Sequence, residues 1–402
     1  MCQPAGVLGT GVCRLLLTVC REQGRFSAAN GGAALFRRRG VKDMHVRVRH
    51  TLAVLCFLLP IALTSGSLAE TNAAPHPSSV LELQTIPRTP TRLARGSYLV
   101  NGILQCFFCH SDVDYTHRPA RPVPGKRGGG HHFPNYELGL PAGNRVVAPN
   151  ISPDPQYGAG KWKDAVFVRA LRQGIGHDGR TLYPLMPYQY FRNLSDEDLA
   201  SVIVYIRSIA PVHIKRPKTV LTPAVKSMMP PLPPLEHVAV VSGPNPVARG
   251  KYLVNAGHCD GCHTPADDAT GQPIPGMYLA GGEPLIGAWG PDPTKIITVN
   301  SLNLTPDPSG LSYMNEAMFI KTIRSGQVEA RQLANIMPWA VFRNLTDQDL
   351  KAIYAYLRTL KPVQHRVDNT ELARYCKLCR HKHGFGDRNE AAQASSIAKP
   401  LH

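Results

Sequence analysis

Apolar residues along this 402-residue chain recur at helical spacing in short bursts, and the bursts come in pairs. Leu93, Gly96, Val100 and Ile103 follow an i, i+3, i+7, i+10 pattern, and Val247, Gly250, Val254 and Gly257 repeat it. That period predicts a short helix with one apolar face, and the glycines on the face let a second helix approach closely. Leu199, Val202, Ile206 and Ile209 make another such face behind Ser195 and the acids Asp196, Glu197 and Asp198. Thr346 and Asp349, followed by Leu350, Ile353, Leu357 and Leu360, repeat the design. The hydroxyl can cap free backbone N–H groups, and the acids favour the positive end of the helix. Middle helices are predicted near residues 162–172 and 313–324. The periodic segments are helical, so the expected fold class is all-α.

The paired bursts belong to two copies of one unit. RGSYLVN at 95–101 matches RGKYLVN at 249–255, and CxxCH follows in each, at 106–110 and 259–263. NISPDP at 150–155 then matches NLTPDP at 303–308, and FRNLSDEDL at 191–199 matches FRNLTDQDL at 342–350. The offset stays between 151 and 154, a spacing that chance does not maintain over four ordered matches. Residues 92–212 and 246–365 are therefore read as tandem domains. Between them, 213–245 is too rich in proline for a helix or a central strand and is expected to be an extended, semi-rigid linker. Residues 366–402 are polar, mostly without period, and are expected to form a mobile tail.

Composition narrows the class. With 43% hydrophobic and 18% charged residues, the chain is neither wholly disordered nor a polytopic membrane protein. The net charge is +17, but residues 1–69 hold nine Lys/Arg against two Asp/Glu, leaving +10 for 70–402. A moderately basic remainder favours acidic partners or anionic surfaces, and no basic stripe interleaved with aromatics points to nucleic acid. Residues 44–69 read as a signal peptide: Arg47 and Arg49, an apolar run over 52–63, then Ser67-Leu68-Ala69. The run is shorter than the ~20 residues of a membrane-spanning helix. An uncleaved anchor is the rival, because 51–69 carries no charge. Residues 1–43 are either a misassigned start, with Met44 as initiator, or a presequence rich in arginine. Either way the expected location is the periplasm or the outer face of the cytoplasmic membrane.

The cysteines carry the chemistry. In CxxCH two thiols can form thioethers with the vinyl groups of a haem, and the adjacent histidine is placed under the iron. The two motifs, Cys106, Cys109 and His110, and Cys259, Cys262 and His263, predict two covalently bound haem c groups. A redox dithiol would want a strand before it, whereas the preceding segment has helical period. A shared zinc site would have to join the pairs across the linker and would leave each histidine unexplained. Each copy also carries one Met-Pro at a matching place, Met186-Pro187 and Met337-Pro338, five residues before FRNL. Met186 and Met337 are the candidate sixth ligands, since a thioether favours reduced iron and raises potential. The bland alternative is that they are ordinary packing residues. Met228, Met229, Met277, Met314 and Met318 have no partner in the other copy.

The RGxYLVN segment before CxxCH, the N[IL][ST]PDP turn, Met-Pro and FRNL[ST]DxDL together resemble a tandem class I cytochrome c. The chain is similar to dihaem cytochromes c and to the cytochrome subunits that accept electrons from bacterial alcohol and sugar-acid dehydrogenases. The resemblance implies a few helices wrapped on each haem and His–Met ligation. It also implies electron transfer outside the cytoplasm between a dehydrogenase or other donor and a respiratory acceptor, possible association with a membrane complex, and no catalysis of its own. It places Tyr205 and Tyr356 where the last helix packs on the glycine of the first. The alternative is a dihaem enzyme, of peroxidase or thiosulfate-oxidising type, with one open or differently ligated haem. Two features depart from the pattern. Cys376 and Cys379 form a third CxxC, but Arg380 stands where the histidine belongs. With His381 and His383 they make C-x-x-C-x-H-x-H, a plausible metal set, although a disulfide or disorder is the stronger expectation. His131 and His132 lie in a glycine-rich insert and are expected to face solvent.

Overall fold

A computed structural model describes residue 81 and residues 85–390, except 134–137, 139, 228, 230, 236, 242, 269, 288–291, 293 and 294. Residues 1–43, expected as a misassigned start or presequence, residues 44–69, expected as a signal peptide, and residues 391–402 lie outside the described residues.

The first unit runs through α1 (Pro90–Gly102), α2 (Cys106–Cys109), α3 (Asp164–Gln173), α4 (Tyr188–Phe191) and α5 (Asp196–Ile206). After α6 (Pro223–Ser227) the second unit repeats the order with α7 (Pro246–Ala256), α8 (Cys259–His263), α9 (Glu316–Ser325), α10 (Trp339–Phe342) and α11 (Asp347–Arg358). The boundaries follow from capping chemistry. The Thr89 hydroxyl and the Asn245 side chain accept first-turn N–H groups of α1 and α7, each of which opens on proline. Ser195 and Thr346 accept from Asp198 N and Asp349 N at the starts of α5 and α11. Helices α3 and α9 stop at Gly174 and Gly326, with φ of 71° and 70°, where a side chain would be strained.

Within each unit the first and last helices cross at a glycine. A Cβ on Gly96 would lie 1.9 Å from Ser201 O and 2.7 Å from Tyr205 Cβ. On Gly250 it would lie 1.9 Å from Ala352 O and 2.8 Å from Tyr356 Cβ. The backbones therefore touch, and the flanking Leu99 and Leu253 are wholly buried in one continuous apolar core that both units share.

The expectation of an all-α fold is corrected to a mostly helical one with small antiparallel pairs. These are β1 (Val113–Asp114) with β2 (Arg121–Pro122), β3 (His131–Phe133) with β4 (Val146–Ala148), β5 (Pro284–Gly287) with β6 (Ile297–Asn300), β7 (Gln327–Val328) with β8 (Arg331–Gln332), and β9 (Arg374–Tyr375) with β10 (Lys382–His383). Long connections rich in glycine and proline must pair their backbone somewhere, and hairpins of two to four residues are too short to show a period.

Two further expectations change. The segment 213–245, expected as an extended, semi-rigid linker, runs as a strap bonded along the first unit. Val220 pairs with Arg145, Leu232 N donates to Gln173 O, and Val238 N donates to Asp196 Oδ1. It also contains α6, which tolerates Pro223 because proline at a first helical position loses no hydrogen bond. The segment expected as a mobile tail is folded over 366–390, with β9 and β10 as its hairpin and Cys376, Cys379, His381 and His383 buried. Buried polar clusters leave no hydrophobic period to read.

The units meet about a pseudo-two-fold relation. Tyr98 Oη donates to Asp349 Oδ2 at 2.6 Å, and Tyr252 Oη donates to Asp198 Oδ2 at 2.6 Å. Each aspartate is also held by an arginine of its own unit, Asp198 by Arg95 and Asp349 by Arg249. The tyrosine of the repeated RG-Tyr-LVN segment thus reads the N-cap turn of the opposite unit, where Ser195 N and Thr346 N also donate to the two hydroxyls. Among the described residues no helix is long and apolar enough to cross a membrane.

Candidate functional site

Each CxxCH is launched by one residue in the left-handed region, Gln105 (φ 51°) in the first unit and His258 (φ 44°) in the second. The bend turns the chain from the long helix into a single turn that places Cys106 and Cys109, or Cys259 and Cys262, three residues apart on one face. His110 is buried, and its Nδ1–H donates to Pro149 O at 2.9 Å; His263 Nδ1–H donates to Leu302 O at 2.7 Å. Both carbonyls lie 39 residues downstream, directly before Asn150 and Asn303 of the repeated turn. Those asparagines hold the turn. Asn150 Oδ1 accepts from Ser152 N and Oγ, Asn303 Oδ1 from Thr305 N and Oγ, and each amide donates to the backbone after the last helix. The carbonyl fixes the tautomer, so Nε2 of each histidine carries the lone pair a metal needs. Burial lowers the pKa of both imidazoles, which keeps them neutral.

Burial disfavours the thiolate form that a redox dithiol uses. Burial pushes Cys106, Cys259 and Cys262 up to about 12 and Cys109 up to about 11, where a free thiol is inert. Met186 and Met337 occupy equivalent turns, with Met186 N donating to Tyr183 O and Met337 N to Ala334 O, immediately before α4 and α10. Both are half-buried against the same apolar core that Cys106 and Cys259 border, while Cys109 borders a smaller cluster around Phe133, Leu140 and Tyr183. Trp339, two residues after Met337, has its Nε1–H buried without an acceptor among the described residues. A cofactor bearing carboxylates would supply one. Paired thiols, a tautomer-fixed imidazole and an orphaned donor together fit haem c.

Residues outside the motifs matter as well. Gln105 Nε2–H donates to His258 Nε2 at 2.9 Å, so the residues directly preceding the two attachment turns touch each other. Burial depresses the His258 pKa to about 4, keeping its ring neutral and able to accept. No spacing rule marks these two positions; only their place before each cysteine could have drawn attention. A surface cleft of about 650 Å³, lined by Gln105, Phe107, Phe108 and Arg121 and by Ala340 and Arg343, contains neither CxxCH histidine. The paired histidines of the glycine-rich insert separate in role, His131 bonding Asp112 at 3.1 Å and His132 standing exposed on β3.

The third CxxC also forms a cluster, but not with the residues the sequence suggested. His365, Cys376, Cys379 and His383 bring one donor atom each to within 4.8 Å of all the others, and all four are buried. His381 instead lies 3.1 Å from Asp268 Oδ1. His365 precedes Cys376 by eleven positions, on the strap after α11, so the C-x-x-C-x-H-x-H reading could not find it.

Residues 247–361 match the sequence family described as Cytochrome c. The second unit is a cytochrome c domain. It contains the second CxxCH, Cys259, Cys262 and His263. The chain is 30% identical over 303 residues to the "Alcohol dehydrogenase (quinone), cytochrome c subunit" of Gluconacetobacter polyoxogenes, covering 70% of this chain and 58% of that protein. It is 30% identical over 310 residues to the "Fructose dehydrogenase cytochrome subunit" of Gluconobacter japonicus, covering 73% and 57%. It is 29% identical over 232 residues to a "Diheme cytochrome c-type" protein of Cereibacter sphaeroides, covering 54% and 72%. The chain spans little more than half the length of the first two of these relatives. Homology thus extends from the cytochrome c domain to cytochrome subunits of bacterial dehydrogenase complexes.

Proposed function

We propose that the chain is an exported dihaem c-type cytochrome that carries electrons from a dehydrogenase subunit to a respiratory acceptor. Cys106, Cys109 and His110 would hold one haem, Cys259, Cys262 and His263 the other, with Met186 and Met337 as the opposite axial ligands. The observation that carries the reading is the duplicated histidine clamp, in which His110 and His263 each give Nδ1–H to a carbonyl 39 residues downstream and keep Nε2 free. Bound haem iron supplies the one-electron chemistry. The protein's residues orient the imidazoles, exclude water through the shared apolar core, and bring the two attachment turns into contact at Gln105 and His258. Ligation of each iron by a histidine and a methionine would leave no open coordination site, which would suit a carrier and disfavour bond-making at iron. The relatives' names support a dehydrogenase as donor, and the predicted signal over 44–69 supports a location in the periplasm or at the outer face of the cytoplasmic membrane.

The test is expression in a host competent for cytochrome maturation, followed by mass spectrometry and redox titration. Two haem additions at the two pentapeptides and two low-spin irons are expected, and Met337→Ala should convert one iron to high spin and lower its potential. Unmodified thiols at Cys106 and Cys109, a resting high-spin haem in the parent, or a Met337→Ala titration identical to the parent would each overturn the corresponding assignment.

A further inference from the structure

We propose that His365, Cys376, Cys379 and His383 form a structural zinc site that fastens the C-terminal segment to the second cytochrome unit. The four donor atoms converge from three places in the chain: the strap after α11, the turn of the β9–β10 hairpin, and the end of β10. His365 Nε2 lies 3.0 Å from His383 Nε2 and 3.4 Å from Cys376 Sγ. A tetrahedral zinc with two sulfur and two nitrogen ligands has donor–donor edges of about 3.3–3.8 Å, so the four bonds need the two Nε2 atoms to part slightly and the wider separations to close. Two soft thiolates with two imidazoles is a donor set that selects zinc over hard cations.

The decisive feature is the orientation of the imidazoles. His365 Nδ1–H donates to Ala280 O at 2.8 Å and His383 Nδ1–H donates to Gly384 O at 2.7 Å. With their protons committed to carbonyls, the two Nε2 atoms face each other as bare lone pairs, an arrangement that repels unless a cation lies between them. This is the outer-shell pattern that orients metal-ligating histidines. Asn389 Nδ2 lies 3.6 Å from Cys376 Sγ and can donate to a thiolate there. Arg380 follows Cys379 with φ 60°, and Arg380 N bonds back to Cys376 O at 2.9 Å, closing the turn that aims both sulfurs inward. Because Arg380 replaces the histidine of a CxxCH, this pair lacks a haem-attachment pentapeptide.

The site has a structural task. A Cβ on Gly282 would lie 2.5 Å from His365 Cε1 and 3.1 Å from Cys379 Sγ, so the cluster presses on the Gly281-Gly282 turn. Gly281 N donates to His263 O at 2.7 Å. Zinc would therefore clamp the segment 363–390 against the loop that supports His263. Binding displaces the two thiol protons to solvent and leaves no coordination position open, which suits structure and not catalysis.

The experiment is elemental analysis of the intact, haem-loaded protein purified without added metal, then after addition of zinc chloride and desalting. About one zinc per chain is expected, measured separately from iron. Alkylation followed by mass spectrometry should find Cys376 and Cys379 protected until a strong chelator is added. His365→Ala and Cys379→Ser should each drop zinc below about a tenth of an equivalent while haem content is kept. His381→Ala should retain it, because that ring bonds Asp268. A Cys376–Cys379 disulfide in the purified protein that takes up no zinc after reduction would overturn the proposal. So would zinc retained by His365→Ala and lost by His381→Ala. The parent protein's zinc content decides the matter even if a variant fails to fold.

Discussion

The first unit fastens the chain beyond its last helix with charges gathered on Asp112, and the second adds a buried cluster of sulfur and imidazole to its own ion pairs, Arg380 with Asp267 and His381 with Asp268. Shared hydrogen bonds set the correspondence. Asn150 Nδ2 donates to Val212 O and Ile214 O, and Asn303 Nδ2 donates to Val363 O and His365 O, so Ile214 and His365 are equivalent. Gly130 N and Gly281 N donate to His110 O and His263 O, which aligns His131 with Gly282. In the first unit Asp112 gathers Arg216 at 2.9 Å, His131 at 3.1 Å and Lys126 at 3.3 Å. At the places of Asp112, His131 and Arg216 the second unit has Pro265, Gly282 and Val367, none of which can bear a charge. The vacated space is taken by the Cys/His cluster. One need, holding a strap against the loop behind the CxxCH histidine, is met in two chemistries. The first answers to salt and pH, the second to metal and oxidation.

Alterations of the shared frame should hit both units alike, and alterations of the fastenings should not. The largest effect is expected from Gly96→Val or Gly250→Val. Each forces apart helices whose backbones touch, at about 3 kcal/mol or more, read as a lower urea midpoint by circular dichroism. Parental midpoints in both variants would mean that the crossing is not the frame. Next comes Asp112→Ala, expected to cost about 1–2 kcal/mol locally because Arg216 loses its carboxylate in a partly buried setting. Hydrogen exchange should quicken over 212–220 and stay unchanged over 363–390; equal loosening of both straps would break the comparison.

Tyr98→Phe and Tyr252→Phe should each weaken the contact between units by about 1–2 kcal/mol, and equally, since each removes one bond to an aspartate that keeps its arginine and the acceptor of one backbone N–H. A large difference in their urea midpoints would show that the two-fold relation is geometric only.

The smallest effect is with acid. Burial alone would raise the Asp112 and Asp349 carboxyls. Hydrogen bonds from Arg216 and His131 to the first, and from Arg249 and Tyr98 to the second, outweigh it and hold both below the usual value of 3.8. Such a group stabilises the fold above its unfolded value, and the contribution is lost as pH falls through the depressed folded value. Acidification from neutrality should leave the 212–220 strap protected until about pH 4 and loosen it below. Loosening already near pH 6 would count against the Asp112 fastening.

Much of this was legible in the residues themselves. Repetition of RG-Tyr-LVN, CxxCH, the N-x-x-PDP turn and FRNL exposed the duplicated unit, and the caps at Ser195 and Thr346 located the last helices, because caps and periods act between residues close in sequence. The hairpins were too short to carry a period. The proline-rich stretch 213–245 read as a spacer because nothing in it announces that its carbonyls and amides reach back to Gln173 and Asp196.

By itself, the order of amino acids determined which helices form, where they begin, and that two thiols and an imidazole stand together in each copy. Only the tertiary structure decided which carbonyl holds each histidine, that Tyr98 and Tyr252 exchange partners across the units, and that His365 displaces His381 from the third cysteine pair. The reason is range: hydrogen bonds and donor clusters that close loops of tens of residues depend on where the backbone is carried by packing, and packing leaves no local pattern to read.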